Sequence, residues 1–514
     1  MAPQVDLMET HKIAPMLSPR ERSLVIGAAL VALFLGALDS LIMSAAMPTI
    51  VADLGGLSLY AWVYSAYFLA RAIALPVFGK LADIYGSKKL FLASICLFLT
   101  ASAAAGSAQS MSFLIFCRIF QGIGAGGNFA FVYIILSQVA PPGKRAQTLS
   151  LGSFIWGISS MIGPTLGGFI VSYTSWRWIF YINIPLGVLS LIGIGLFLKE
   201  SEKQHDRSAS LDIIGLLLFS GFILGLLTVF ITGGREFAWK SGSMLALVMT
   251  TVVLGYCFVL VEKKAKDPMI DLRFFRLRNF VLGNGATFLA SFTIFAFFAY
   301  VPLYIQGSLA LSPMQVGLAM VSLSLGWSAG AMFFGRMSRN GKEKNWSVVG
   351  GGILLIGSLF TLRFNLDTSM AECFSVFLVV GIGMGFVSLS TVILVQNSVG
   401  AEDLGIVTSF HQFSRSLGGT IGVGVSGGLV TTGLLSRLTE SAILLPQNLM
   451  VQLRDSTENL LRPEFMSLVP QEAIEALRNA VLSGVFSVFW VASCSSFLCL
   501  LCCLGLVEGP SESE

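Results

Sequence analysis

Long apolar runs separated by short polar stretches fill almost the whole chain. A helix that crosses a bilayer needs about 17–25 mostly apolar residues, and fourteen runs qualify. Their cores lie near 23–47, 60–78, 90–109, 111–136, 147–172, 178–198, 211–232, 242–261, 280–305, 314–334, 346–362, 373–395, 404–434 and 481–507. The runs are continuous, without the apolar–polar alternation of membrane strands, so each predicts a helix. The eighth is the shortest, the eleventh ends on Arg363, and the thirteenth is long enough for its last turns to leave the bilayer.

Composition agrees. The chain has 514 residues, of which 55% are hydrophobic and 12% charged, about half the charge of a soluble domain. Such a chain sits in lipid, where every backbone amide must be bonded internally. The first run starts near Ser23 and is long enough to span, so it reads as helix 1 and not as a cleaved leader.

Lysine and arginine orient the spans, because cytoplasmic loops carry the excess. With the N-terminus inside, 21 of the 32 basic residues fall in inside segments, 8 outside and 3 within spans. An even number of crossings puts both termini in the cytoplasm. The predicted plan is 6 + 2 + 6: a cytoplasmic segment 1–22, a bundle 23–198, two inserted helices with their loops over 199–279, a bundle 280–507 and a tail 508–514. Within the last bundle, segment 435–480 is the long extracellular excursion. Stretches Gln447–Arg462 and Pro470–Arg478 predict one or two short helices there.

The motifs carry a resemblance. After helix 2 stands Gly79-Lys-Leu-Ala-Asp83-Ile-Tyr-Gly86-Ser-Lys88-Lys89, and helix 4 carries Arg118-Ile-Phe-Gln121-Gly122-Ile-Gly124. Helix 5 carries Gly163-Pro164-Thr-Leu-Gly167-Gly168, with Ser159 where the fuller motif has glycine. Helix 1 has Leu38-Asp39-Ser40 followed by Ala46-Met47-Pro48, and Trp176-Arg177-Trp178 leads to Asn183 and Pro185. Asp267-Pro268 and Asp271-Leu272 follow helix 8. Together these resemble the major facilitator superfamily, and within it the fourteen-span drug:proton antiporters of the multidrug or quaternary-ammonium exporter type. The second half repeats the plan faintly: Gly335-Arg336 follows helix 10 without the aspartate, and Gly418-Gly419 in helix 13 mirrors helix 5.

The resemblance implies an exporter working by alternating access, with no cofactor and a proton gradient as energy source. Gly79, Asp83, Gly86, Lys88 and Lys89, with Gly163, Pro164, Gly167 and Gly168, are implied to gate the conformational change. It further implies a multi-pass protein of a bacterial plasma (inner) membrane. Its expected partners are amphipathic small molecules, protons and the lipid bilayer. Nucleic acid is not expected, and the chain is expected to work as a monomer. An exporter of an endogenous lipid, siderophore or metabolite is the alternative on this scaffold. The helix 5 motif argues against a proton-coupled importer.

Charges inside lipid are costly and mark function. Asp39 is the one acid well inside a span; Arg71, Arg118, His411 and Arg415 are the deep bases. Asp39 lies about 13 Å below the outer end of its helix, Arg118 about 10 Å and Arg71 about 16 Å, so either arginine can neutralise it. A carboxylate that alternates between an arginine and a proton is the minimal chemistry of coupling. With the resemblance, Asp39 is the expected protonation site and Arg118 its partner, the alternative being a purely structural ion pair; His411 is either a second proton carrier or a hydrogen-bonded structural histidine. Tyr60, Tyr64, Tyr67 and Arg71 share one helical arc, as do Arg118, Gln121 and Asn128. Tyr64, Tyr67, Arg71, Gln121, Asn128 and Arg415 are the expected substrate-cavity residues.

Other chemistries find little support. Gly122, Gly124 and Gly127 spell G-x-G-x-x-G inside a span with no strand before them, which excludes a dinucleotide fold. No phosphate-binding G-x-x-x-x-G-K-[ST] occurs. The eight cysteines sit in apolar runs as packing residues, so neither disulfides nor a metal site is expected. Three histidines and one deep acid give an enzyme little to build with.

Overall fold

Every predicted run folds as a helix. The computed structural model describes residues 17–54, 60–141, 144–199, 212–233, 237, 240–265, 268, 270–311, 313–338, 342–400, 403–440, 446, 448–449, 451 and 468–508. The N-terminal helices are α1 (Pro19–Leu54), α2 (Tyr60–Tyr85), α3 (Ser87–Gly106), α4 (Met111–Val139), α5 (Arg145–Tyr173), the single turn α6 (Trp178–Tyr181) and α7 (Asn183–Phe197). The inserted pair is α8 (Ile213–Thr232) and α9 (Gly242–Glu262). The last six are α10 (Arg278–Leu303), α11 (Pro313–Met337), α12 (Glu343–Thr361), α13 (Met370–Gln396), α14 (Leu404–Glu440) and α15 (Gln471–Gly505).

Among the described residues, twelve passages are long and apolar enough to cross a bilayer, with 178–197 and 278–308 each counted once. α5 and α12 occupy the other two expected positions. α1 packs on α5 and α7, and α4 on α2 and α3; in the second half α13 packs on α11 and α12, and α10 on α14 and α15. α8 and α9 pack on each other, and α8 also touches α2 and α14. The two halves meet where α2 and α4 face α14 and where α5 faces α11. Gly124 explains why α3 and α4 lie so close: a Cβ there would come within 2.6 Å of the Phe98 backbone nitrogen.

Two features differ from expectation. The stretch beginning at Pro470 is no separate short helix. Pro470 caps α15, which runs on without a break through the apolar core. Most of 441–467, including most of the expected helix at Gln447–Arg462, lies outside the described residues. Pro302 also stands inside α10. It has no N–H to give to the turn before it, and the helix continues as a π-helical turn over Tyr304–Ser308. Arg478 of α15 donates from Nε to the Ser308 carbonyl at 2.6 Å, and Tyr304 donates to the Asn365 carbonyl at 2.7 Å.

The loop before α10 is set by Asp271, whose carboxylate accepts from the Arg273 backbone N–H at 2.8 Å and opens a short 3-10 turn. All eight cysteines are free.

Candidate functional site

Asp39 sits midway along α1, fully buried, and three residues from two neighbouring helices turn donors onto its carboxylate. Arg118 of α4 donates from Nη1 to Oδ2 at 2.7 Å. Gln121, one turn further along α4, donates from Nε2 to Oδ1 at 2.7 Å, and Asn183 at the start of α7 donates to the same oxygen at 3.2 Å. The second hydrogen of each donor nitrogen is also used. Arg118 Nη1 reaches Gln121 Oε1 at 2.8 Å, while Asn183 Nδ2 and Gln121 Nε2 reach Ser102 Oγ at 3.0 and 3.3 Å. Ser102 passes its own proton to the Phe180 carbonyl at 2.9 Å. The Arg118 guanidinium lies over the Tyr67 ring, 4.0 Å from its centroid. A buried ion pair is tolerated only when its hydrogen-bonding capacity is largely met; here both Asp39 oxygens accept, while Asn183 Oδ1 is left without a partner.

Arg71 lies beside this network without joining it. Its Nη1 lies 3.5 Å from Ser40 Oγ, and its guanidinium faces Phe68, Phe129 and Tyr67 at 4.8, 5.0 and 5.7 Å. Tyr67 is thus shared, with Arg118 over its ring and Arg71 nearby, while its hydroxyl lies 3.4 Å from the Gly36 carbonyl.

On the other half, α14 carries His411 and Arg415 one turn apart. His411 is buried, with Nε2 2.9 Å from Thr287 Oγ1 and 3.1 Å from Thr391 Oγ1. Arg415 reaches across to the first half: Tyr133 and Trp156 lie 5.7 and 5.8 Å from its guanidinium, with Trp327 of α11 also at 5.8 Å.

The hydrogen bonds between halves gather towards one side, the one that the positive-inside bias makes cytoplasmic. Arg145, first residue of α5, donates to Gln396 Oε1 at 2.7 Å and to Asn397 Oδ1 at 3.0 Å, at the end of α13. Nearby, α2 presses onto α14 at Gly79, where an added Cβ would come 2.5 Å from Ser409 Cβ and 3.0 Å from the Gly405 carbonyl. Further in, Ser328 of α11 donates to the Ser153 carbonyl of α5 at 3.0 Å.

The Major Facilitator Superfamily model matches residues 29–423. The chain belongs to the major facilitator superfamily. Among curated relatives, the "Multidrug transporter protein MdtP" of Bacillus subtilis is 30% identical over 489 residues, covering 91% of this chain and 90% of that protein. "Multidrug resistance protein 3" of the same organism is 31% identical over 412 residues, 80% of each. "Efflux pump aflT" of Aspergillus parasiticus is 28% identical over 502 residues, covering 95% of this chain and 96% of that one. Among solved structures, the human organic anion transporter MFSD10 superposes with a TM-score of 0.59 at 14% identity, covering 94% of this chain and all of that one. The proton:xylose symporter XylE gives 0.60 at 12% identity, covering 94% and 95%. These two show the fold.

In this major facilitator chain the signature loop has visible physical roles. Gly86 has φ +82° as it turns α2 into α3, a region that L side chains rarely adopt. Lys88 is half-buried and Lys89 exposed at the start of α3. For Asp83 and Pro164 only the helical backbone is described, and the side chain of Tyr60 lies outside the described residues. Gly163 abuts α1, where a Cβ would come 2.9 Å from Leu41 Cβ; Gly167 is buried, and Gly168 has open space around it. Asn128 is buried against α3, its Oδ1 2.8 Å from Ser94 Oγ, and so lies in a helix interface. Tyr64 is half-buried in the apolar cluster at the outer end of the first half.

Sequence reasoning missed Ser102 and Asn183 as members of the Asp39 network. Asn183 was visible only as part of the stretch after helix 5. Among the described residues no group of three or more His, Cys, Asp or Glu gathers as a metal site would require.

Proposed function

We propose that this chain is a proton-coupled efflux transporter that exports amphipathic organic compounds by alternating access. It would use a fourteen-helix topology with both termini cytoplasmic, in the plasma membrane of a bacterium, as a monomer. The observation that carries the reading is the buried Asp39 carboxylate, held by Arg118, Gln121 and Asn183 in a chain whose curated relatives are named multidrug transporters and efflux pumps.

Asp39 is the protonation site in this reading. Ionised, it uses all three donors; protonated, it no longer balances the Arg118 charge, and a buried guanidinium without its counter-ion is costly. Protonation thus alters what holds α1, α4 and α7 together. The change can reach the substrate region through Tyr67, which lies under Arg118, and through Ser40, next to Asp39 in sequence and 3.5 Å from Arg71. The pair is closed to water here, with 0% and 1% of the side chains accessible, so proton entry requires the helices around it to rearrange. The contacts of Arg145 and Gly79 close the cytoplasmic side, and their separation would open it.

The test is transport in proteoliposomes with an imposed pH gradient, using fluorescent dyes and amphipathic drugs of either charge. Substrate accumulation that follows the gradient and collapses with a protonophore is expected. Accumulation indifferent to the gradient would refute proton coupling.

A further inference from the structure

Two arginines are buried where the halves meet, and neither pairs with an acid among the described residues. Arg71 on α2 is 8% exposed and Arg415 on α14 is 9% exposed. The ion pairs among the described residues include neither. A buried charge without a counter-charge carries a desolvation penalty, and aromatic faces offset it only in part. Such a group calls for something that is not part of the chain.

The surroundings of Arg415 say what. The three rings around it each carry a polar atom with no partner: the Tyr133 hydroxyl, the Trp156 Nε1–H and the Trp327 Nε1–H are all buried and unbonded. Buried polar groups are nearly always satisfied, so a guanidinium and three orphaned ring groups in one neighbourhood form a strong anomaly. The two indoles can only donate, and the phenol donates readily. A site made of donors and one positive charge fits an oxyanion.

Arg71 continues the site. Its guanidinium is 5.0 Å from the Phe129 ring, and Phe129 is 5.5 Å from Trp156, which in turn flanks Arg415. The two cations are therefore joined by two aromatic rings of the first half, Phe129 on α4 and Trp156 on α5, the latter meeting Arg415 of the other half. We propose that this region binds an amphipathic organic anion, an aromatic carboxylate or sulfonate. Its oxyanion head lies at Arg415, Trp156, Trp327 and Tyr133, and its apolar body lies along Phe129 toward Arg71.

The inference rests on the exporter reading and names its substrate class. It also gives the substrate a part in the cycle. Without an anion, one cation on each half faces the other across the interface, and like charges oppose close approach. An anion between them removes that opposition, so closure over the site is tied to occupancy. An anion leaving the cell also moves down an inside-negative potential, as does an entering proton.

The experiment uses the purified full-length protein in nanodiscs and three matched probes: 2-naphthaleneacetate, its amide, and a naphthylmethyl-trimethylammonium ion. Binding is read by quenching of tryptophan fluorescence. The acid should bind about ten- to hundred-fold more tightly than the amide, the range for losing a charge-assisted contact. Arg415→Gln should abolish that preference while leaving the amide within about twofold, and Arg71→Gln should reduce it. Arg415→Lys, which keeps the charge but loses the planar fork, should retain part of it and guards against misfolding. Equal or tighter binding of the amide or the ammonium ion, no saturable binding of any probe, or a preference that survives Arg415→Gln would each overturn the proposal. The same protein in vesicles with a pH gradient separates the two readings. Gradient-driven transport of the ammonium probe alone would leave the exporter reading standing and sink the anion site. Acid-selective binding without gradient-driven transport would do the reverse.

Discussion

Replacing Arg118 by leucine should destabilise the first half of the molecule more than replacing Asp39 by asparagine, and the reason is the list of partners each leaves behind. In Arg118→Leu the buried Asp39 carboxylate keeps only the Gln121 and Asn183 amides, at 2.7 and 3.2 Å. Breaking a buried pair from one side typically costs about 3–5 kcal/mol, and the amides return only part of that. In Asp39→Asn the guanidinium keeps the Gln121 carbonyl at 2.8 Å and the Tyr67 ring at 4.0 Å, and its Nε stays 3.5 Å from the Val63 carbonyl. Its expected cost is about 1–2 kcal/mol less. The double variant Asp39→Asn, Arg118→Leu removes both charges, so it should be more stable than Arg118→Leu alone. The assay is thermal unfolding of the purified variants in detergent, read at buried cysteines such as Cys117 and arranged as a double-mutant cycle. Additivity within about 0.5 kcal/mol would refute the reasoning, because it would mean the pair is not coupled.

Other consequences can be checked in parallel. Gly79→Val would push a side chain into Ser409 and the Gly405 backbone; it should hold the cytoplasmic side open and cut transport at least tenfold with little loss of substrate affinity, measured by cysteine labelling and binding. Gly86→Ala, at φ +82°, should cost about 1–3 kcal/mol, seen as a lower melting temperature. Arg145→Ala removes its bonds to Gln396 and Asn397 and should raise the accessibility of cysteines placed along the cytoplasmic half of α14, with unchanged accessibility as the contrary result. Asp53, outside the spans, accepts from Trp176 Nε1 and Arg177 Nη1, both at 2.9 Å, and these bonds hold its carboxyl below the usual carboxylate range. Its folded-state value is lowered, so its contribution is present at neutral pH and fades as pH falls through that lowered value. Asp53→Asn should therefore lower the melting temperature at pH 7, with the gap closing in acid.

Much of this was legible before any coordinates. Period and length gave every helix, because lipid leaves the backbone no other choice. Depth along the helices brought Asp39 and Arg118 to one level, and they pair at 2.7 Å. Depth allowed Arg71 the same partner, but what a helix face meets is decided by packing. Arg71 turns to Phe68 and Phe129 instead. Asn128 shares its face with Gln121, yet two turns along α4 the neighbour is Ser94 of α3. Ser102 and Asn183 carry no charge, so nothing in the apolar pattern flagged them. The start of α15 is expected as a separate short helix because Glu472, Glu475, Arg478 and Asn479 make it too polar to join the apolar span. Arg478 instead binds the carbonyl that ends the π turn after Pro302.

The central claim is that the Asp39 carboxylate couples proton movement to export, and one variant isolates it. In proteoliposomes, Asp39→Asn should lose pH-gradient-driven accumulation of a substrate that the native protein concentrates, while still exchanging labelled for unlabelled substrate at comparable rates with no gradient. Retained gradient-driven accumulation in the Asp39→Asn protein would contradict the account.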